Sequence, residues 1–151
     1  MDLTHDELIT RAVQWLEYDR RCKLVLVEAK GEIEKVDALG FNVSTTILVE
    51  AKASRSDFLR DKEKLSRSEK QSEYGYGQFR YYICESGTIT IPDLPNKWGL
   101  IYATPYSVKM VRGASSFEYN YEMLWRERCL LVSEFGWYQT KGLSKSRKVK
   151  W

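Results

Sequence analysis

Lys35-Val36-Asp37-Ala38-Leu39-Gly40-Phe41, then Asn42-Val43, then Ser44-Thr45-Thr46-Ile47-Leu48-Val49-Glu50-Ala51-Lys52 is the stretch on which the fold turns. Two β-prone runs flank a short turn, so a β-hairpin is expected. Side chains alternate faces along a strand, which puts Glu50 and Lys52 on one side. With a two-residue turn at Asn42 and Val43, Phe41 pairs with Ser44 and Asp37 stands opposite Leu48. Glu50 is then the diagonal neighbour of Asp37 on the same face, at a Cα separation of roughly 7–8 Å. A turn of odd length would send Asp37 to the other face. Two carboxylates that can share a divalent cation, with an ammonium beside them, are equipment for cutting a phosphodiester bond.

Outward from the hairpin, apolar periodicity places an amphipathic helix over residues 4–17, with Leu8, Ile9, Ala12, Val13 and Leu16 at helical spacing. Thr4 and Glu7 make a capping box at its start. Lys23 to Ala29 reads as an apolar strand before the hairpin. The runs Leu24-Val25-Leu26 and Ile47-Leu48-Val49 are continuously apolar, as in strands covered on both faces. Ser54 or Ser56 caps a helix running to about Gln71, and Tyr74-Gly75-Tyr76-Gly77 breaks it. Strands follow at Phe79 to Cys84, Trp98 to Ala103 and Ser107 to Val111. A last helix covers Phe117 to Phe135, with Phe117, Tyr121, Leu124 and Leu131 near one stripe. The order α-β-β-β-α-β-β-β-α predicts a three-layer α/β domain, a mixed central sheet flanked by helices. Residues 1–140 form that single domain, and the basic segment 141–151 reads as a mobile tail.

The chain has 151 residues, 43% hydrophobic and 30% charged, which is ordinary for a globular protein. No apolar run approaches the roughly 20 residues of a membrane span. The acidic, polar start, Met1 to Glu7, is unlike a secretory signal, so a cytoplasmic protein with no membrane partner is expected. Cys22, Cys84 and Cys129 are odd in number and widely spaced, against a disulfide framework or a structural zinc site. The single histidine, His5, lies near the terminus, outside any preorganised position for histidine-based hydrolysis. Any hydrolysis then falls to carboxylates, lysine and a hard metal. The net charge of +3 is mild, but basic residues gather after Lys52 and at the carboxyl end, which suits a polyanion.

The helix, the strand, Asp37 on a second strand and Glu50-Ala51-Lys52 on a third together resemble the PD-(D/E)xK nuclease superfamily. The likeness continues through Ala53-Ser54-Arg55-Ser56-Asp57-Phe58, Phe79-Arg80-Tyr81-Tyr82-Ile83 and Pro95…Gly99-Leu100-Ile101, and covers roughly residues 5–112. It is closest to the MmcB-like branch, associated with DNA repair, and extends to some phage and resolvase-type nucleases. Val36 stands where a proline usually precedes the aspartate. The resemblance implies a restriction-endonuclease-like fold and a Mg²⁺- or Mn²⁺-dependent nuclease acting on DNA. Asp37, Glu50 and the carbonyl of Ala51 would bind the metal, and Lys52 would orient or activate the attacking water. In resolvase-like members a glutamate of the first helix completes the site, and Glu7 holds that position here; Glu17 and Glu28 compete for the role.

Arg55, Arg60, Lys64 and Arg67 are the candidate DNA-binding residues, since 60, 64 and 67 share a helical face that can track a phosphate backbone. Asp57, Asp61 and Glu63 offer counter-charges on the same helix. Gln78 and Tyr82 match the spacing of a Q-x-x-x-Y motif found in some nucleases of this superfamily, though on a strand. A non-catalytic nucleic-acid-binding or repair-scaffold module on the same fold is the alternative. Oligomeric state is left open between monomer and homodimer.

Overall fold

The structure is a computed structural model that describes residues 2–31, 34–67 and 75–140, without the side chains of 64–67 and 137–140. Its centre is a six-stranded sheet in the order β1 (Leu24–Lys30), β2 (Lys35–Phe41), β3 (Thr46–Ala51), β4 (Phe79–Cys84), β5 (Gly99–Ala103) and β6 (Val108–Arg112). β1, β2 and β3 pair antiparallel, β3, β4 and β5 run parallel, and β6 returns antiparallel. The sheet is therefore mixed, as the element order implied. The parallel step from β3 to β4 requires a crossover, and α2 (Arg55–Arg67) lies within it.

Helices cover both faces. α1 (His5–Gln14) presents Leu8, Ile9 and Ala12 to a core that includes Ala38, Val49, Ile83 and Ile101. The opposite face packs Leu39, Leu48, Tyr82 and Leu100 against Phe58 of α2 and against Met123 and Leu130 of α3 (Tyr121–Thr140). Each such buried aliphatic or aromatic side chain contributes about 1.5–3 kcal/mol over leaving it in water. α1 begins with the expected capping box: Thr4 Oγ1 accepts from the Glu7 amide at 3.2 Å, and the Glu7 carboxylate accepts from the Thr4 amide at 2.7 Å. It continues through a π-type turn, Trp15–Asp19, that sets the Trp15 ring edge-on to Tyr81 at 5.0 Å.

The hairpin register differs from the expected one. Phe41 pairs with Thr46 and Leu39 with Leu48, and the Asn42 amide donates to the Thr45 carbonyl at 2.8 Å. The connection is thus Asn42 to Thr45, two residues longer than expected. An even change keeps every side chain on its face and slides β3 so that Glu50, rather than Leu48, comes level with Asp37.

The last helix also starts later than its apolar pattern suggests. Asn120 Oδ1 accepts from the Met123 amide at 3.0 Å and caps α3, while Phe117 lies before the helix, its amide bonded to the Gln78 carbonyl at 2.8 Å. Tyr121 and Leu124, expected inside, are exposed at 77% and 49%; Met123, Glu127 and Leu130 face the sheet instead. Gly77 enters β4 at φ +89°, where a Cβ would stand 2.7 Å from that of Leu48.

Among the described residues no helix is long and apolar enough to cross a membrane. The three cysteines are free thiols, and burial pushes the Cys84 thiol up to about 11. The tail 141–151, Tyr74 and the end of the second helix near Gln71 lie outside the described residues.

Candidate active site

Asp37 and Glu50 meet where β2 and β3 part. The ladder ends at the Ala38–Val49 pair, and beyond it Asp37 Oδ2 enters the gap to accept the Ala51 amide at 2.8 Å. Glu50, paired across the parallel step with Tyr82, turns to the same place. Its Oε1 is enclosed without a hydrogen-bond partner among the described residues. Burial pushes the Glu50 carboxyl well above its ordinary value. The charge of Asp37, a hydrogen bond with Asp37 and the charge of Glu34 push it further, against a smaller pull from Lys52.

Lys52 follows β3 directly and is anchored by its amide, which donates to the Ile83 carbonyl at 3.0 Å. Its side chain is only 11% exposed and its ammonium pairs with the carboxylate of Asp61 on α2. The sequence reading gave Asp61 to the neighbouring arginines; α2 aims it at Lys52. Beside Glu50 on β4, the Tyr82 ring stacks on Trp98 with centroids 4.3 Å apart and meets Phe58 edge-on at 5.2 Å. Burial first, then the charges of Asp61, Glu50 and Glu34, hold the Tyr82 phenol protonated far above its usual range.

The histidine, set aside by its terminal position, is at this site. Thr4 caps α1, so His5 is its first residue, and its Nε2 lies 3.4 Å from Asp37 Oδ2. His5, Asp6 and Glu28 bring one ligand atom each within 4.8 Å of one another. Glu28 sits in the left-handed region at φ +50°, between the Val27–Ala38 and Ala29–Val36 pairs, and its carboxylate is 3.7 Å from Lys35 Nζ.

Asp37, Glu50, Ala51 and Lys52 are therefore gathered as expected, while Glu7 is not among them. Its carboxylate closes the capping box and it lines a cavity with Asp2, Leu3, Thr10, Arg11 and Pro105. Glu17 is exposed on the π-type turn. Gln78 and Tyr82 separate: Gln78 bonds Ser116 through its amide at 3.1 Å, and only Tyr82 reaches Glu50. Of the candidate DNA-binding residues, Arg55 makes a two-pronged contact with Asp93, both at 2.9 Å, and Arg60 pairs with Asp57 at 3.1 Å. The side chains of Lys64 and Arg67 lie outside the described residues. His5, Glu34 and Asp61 are the site residues that sequence reasoning missed, while Tyr82 enters it only through the Q-x-x-x-Y spacing. The one available signal was the spacing of Asp61 on the helix that follows Lys52.

No protein-family model matches the chain, and no curated protein does. Among solved structures it is similar to the SPO1766 protein of unknown function from Silicibacter pomeroyi, at 17% identity and a TM-score of 0.67, over 99% of each chain. That likeness is one of fold. It supports the α/β architecture from end to end and carries nothing about activity.

Proposed function

We propose that this chain is a divalent-metal-dependent nuclease that hydrolyses phosphodiester bonds in DNA, in repair, recombination or phage biology, with a site of the PD-(D/E)xK kind. The observation that carries the reading is the Oε1 of Glu50, enclosed without a partner among the described residues, beside the carboxylate of Asp37. A buried carboxylate pair is costly unless a proton or a cation is shared between its members. Two hard oxygen donors at one point fit Mg²⁺ or Mn²⁺, with Asp37, Glu50 and the Ala51 carbonyl as the holding groups. Such an ion, when bound, polarises a phosphoryl oxygen and lowers the pKa of a coordinated water.

The chain's own residues supply the rest. Asp61 holds the Lys52 ammonium in one place, and a fixed positive charge there offsets charge that builds on the phosphoryl oxygens. Tyr82, the neighbour of Glu50 on the adjoining strand, is itself buried, and burial leaves the Glu50 carboxylate poorly hydrated and favours a bound cation. Arg55, Arg60, Lys64 and Arg67 are the proposed phosphate-contacting residues. Arg55 and Arg60 would exchange exposed ion pairs, weak in water, for contacts to DNA.

A second reading, a non-catalytic nucleic-acid-binding or repair-scaffold module, draws on the Lys52–Asp61 pair, which gives the lysine a structural partner. The two readings separate in one assay. The protein is incubated with single-stranded, duplex, nicked and branched DNA in Mg²⁺, Mn²⁺ or EDTA, beside Glu50→Ala and Lys52→Ala. Cleavage that needs the metal and falls by on the order of 100-fold or more in both variants is expected. Cleavage that survives EDTA and Glu50→Ala overturns the nuclease mechanism, and binding without cleavage in every metal selects the module.

A further inference from the structure

His5 is the chain's single histidine, and its place is set by the fold rather than by its own flexibility. The capping box at Thr4 and Glu7 fixes where α1 begins, so the imidazole is delivered to the Asp37 carboxylate. There Nε2 stands 3.4 Å from Asp37 Oδ2. Two ligand atoms about 2.1 Å from one ion and at right angles to each other are about 3 Å apart, so the observed spacing needs only a small adjustment. Asp6 and Glu28 flank the ring, one ligand atom from each lying within 4.8 Å of the imidazole's. An independent observation points to a cation at Asp37: the neighbouring Glu50 Oε1 is enclosed with no hydrogen-bond partner among the described residues.

We propose that His5 supplies a nitrogen ligand to the divalent cation held at Asp37, with Asp6 and Glu28 as its outer acidic rim. This rests on the metal reading of Asp37 and Glu50 and adds to it a preference. Mg²⁺ binds through oxygen and gains little from imidazole, whereas a transition-metal dication such as Mn²⁺ accepts nitrogen readily. The centre therefore favours Mn²⁺ over Mg²⁺, and the histidine is the reason.

The test uses the untagged full chain and Mn²⁺ itself. Loss of the free-ion EPR signal measures affinity, competition with Mg²⁺ gives the relative preference, and pulsed EPR of the bound ion reports nitrogen-14 in its first coordination sphere. Wild type is expected to show nitrogen coupling that disappears in His5→Ala and in Asp37→Asn. His5→Ala should weaken Mn²⁺ by about tenfold or more while changing Mg²⁺ less than about twofold. Bound Mn²⁺ without nitrogen coupling in the wild type overturns the proposal, whatever the variants do. So does coupling that persists in His5→Ala, or an equal loss for both metals. Nitrogen coupling in a protein that cleaves no DNA would sustain this inference and remove the nuclease reading; Mg²⁺-supported cleavage without nitrogen coupling would do the reverse.

Discussion

Burial is the first cause, and the charge of Asp37 the second, of the upward shift of the Glu50 carboxyl. A carboxyl raised in the folded state keeps a proton that the unfolded chain has already released. Stability without metal is therefore greatest below the ordinary carboxylate range and declines as pH rises toward the raised folded value. Glu50→Gln removes the titrating group and leaves a neutral side chain of the same shape. In EDTA its Tm should lie above that of the wild type at neutral pH, by on the order of 3 °C, with the gap closing as pH falls toward about 5. A thermal-unfolding series in which Glu50→Gln is no more stable than wild type at any pH would show that Glu50 is not held in a repulsive pocket. The nuclease reading expects the same substitution to end cleavage, so stability and activity should move in opposite directions.

At the scale of elements, α3 shows what apolar spacing leaves undecided. Its inward stripe is Met123, Glu127 and Leu130, with a carboxylate in the middle. Glu127 accepts from the Thr46 hydroxyl at 2.8 Å, the Gly77 amide at 3.1 Å and the Tyr119 hydroxyl at 2.6 Å. It ties the helix to the start of β3 and to the turn entering β4. Burial raises its carboxyl, and these three donors with Arg80 partly offset the rise. Glu127→Ala leaves the donors without an acceptor and should cost about 3 kcal/mol in urea unfolding, against about 1–2 kcal/mol for Tyr119→Phe. A smaller loss for Glu127→Ala than for Tyr119→Phe would overturn this role. The sequence reading put Phe117, Tyr121, Leu124 and Leu131 on that stripe because hydrophobicity is distributed all round this helix. The buried charge that sets its rotation looks, in sequence, like any surface glutamate.

For the whole molecule, a cation bound only by the folded chain must stabilise it by mass action. At a hundred times its dissociation constant the gain is about 2.7 kcal/mol. Mn²⁺ should therefore raise the Tm of the wild type in a concentration-dependent way, and leave Asp37→Asn unmoved. A Tm insensitive to Mn²⁺ and Mg²⁺ alike would remove the metal from the molecule. The fold on which that site rests was largely legible. The capping box, the succession of helices and strands along the chain and the mixed sheet follow from local pattern, as does the shared face of Asp37 and Glu50. Alternation along a strand survives a connection two residues longer than expected, because parity and not register decides the face. What local pattern could not supply is how far each helix is rotated and slid over the sheet. That docking alone brings His5 to Asp37, Asp61 to Lys52 and Glu127 beneath Thr46. Those pairs lie 32, 9 and 81 residues apart by their numbers, and contacts at such distances are set by the packing of side chains across layers, which no periodicity along the chain encodes.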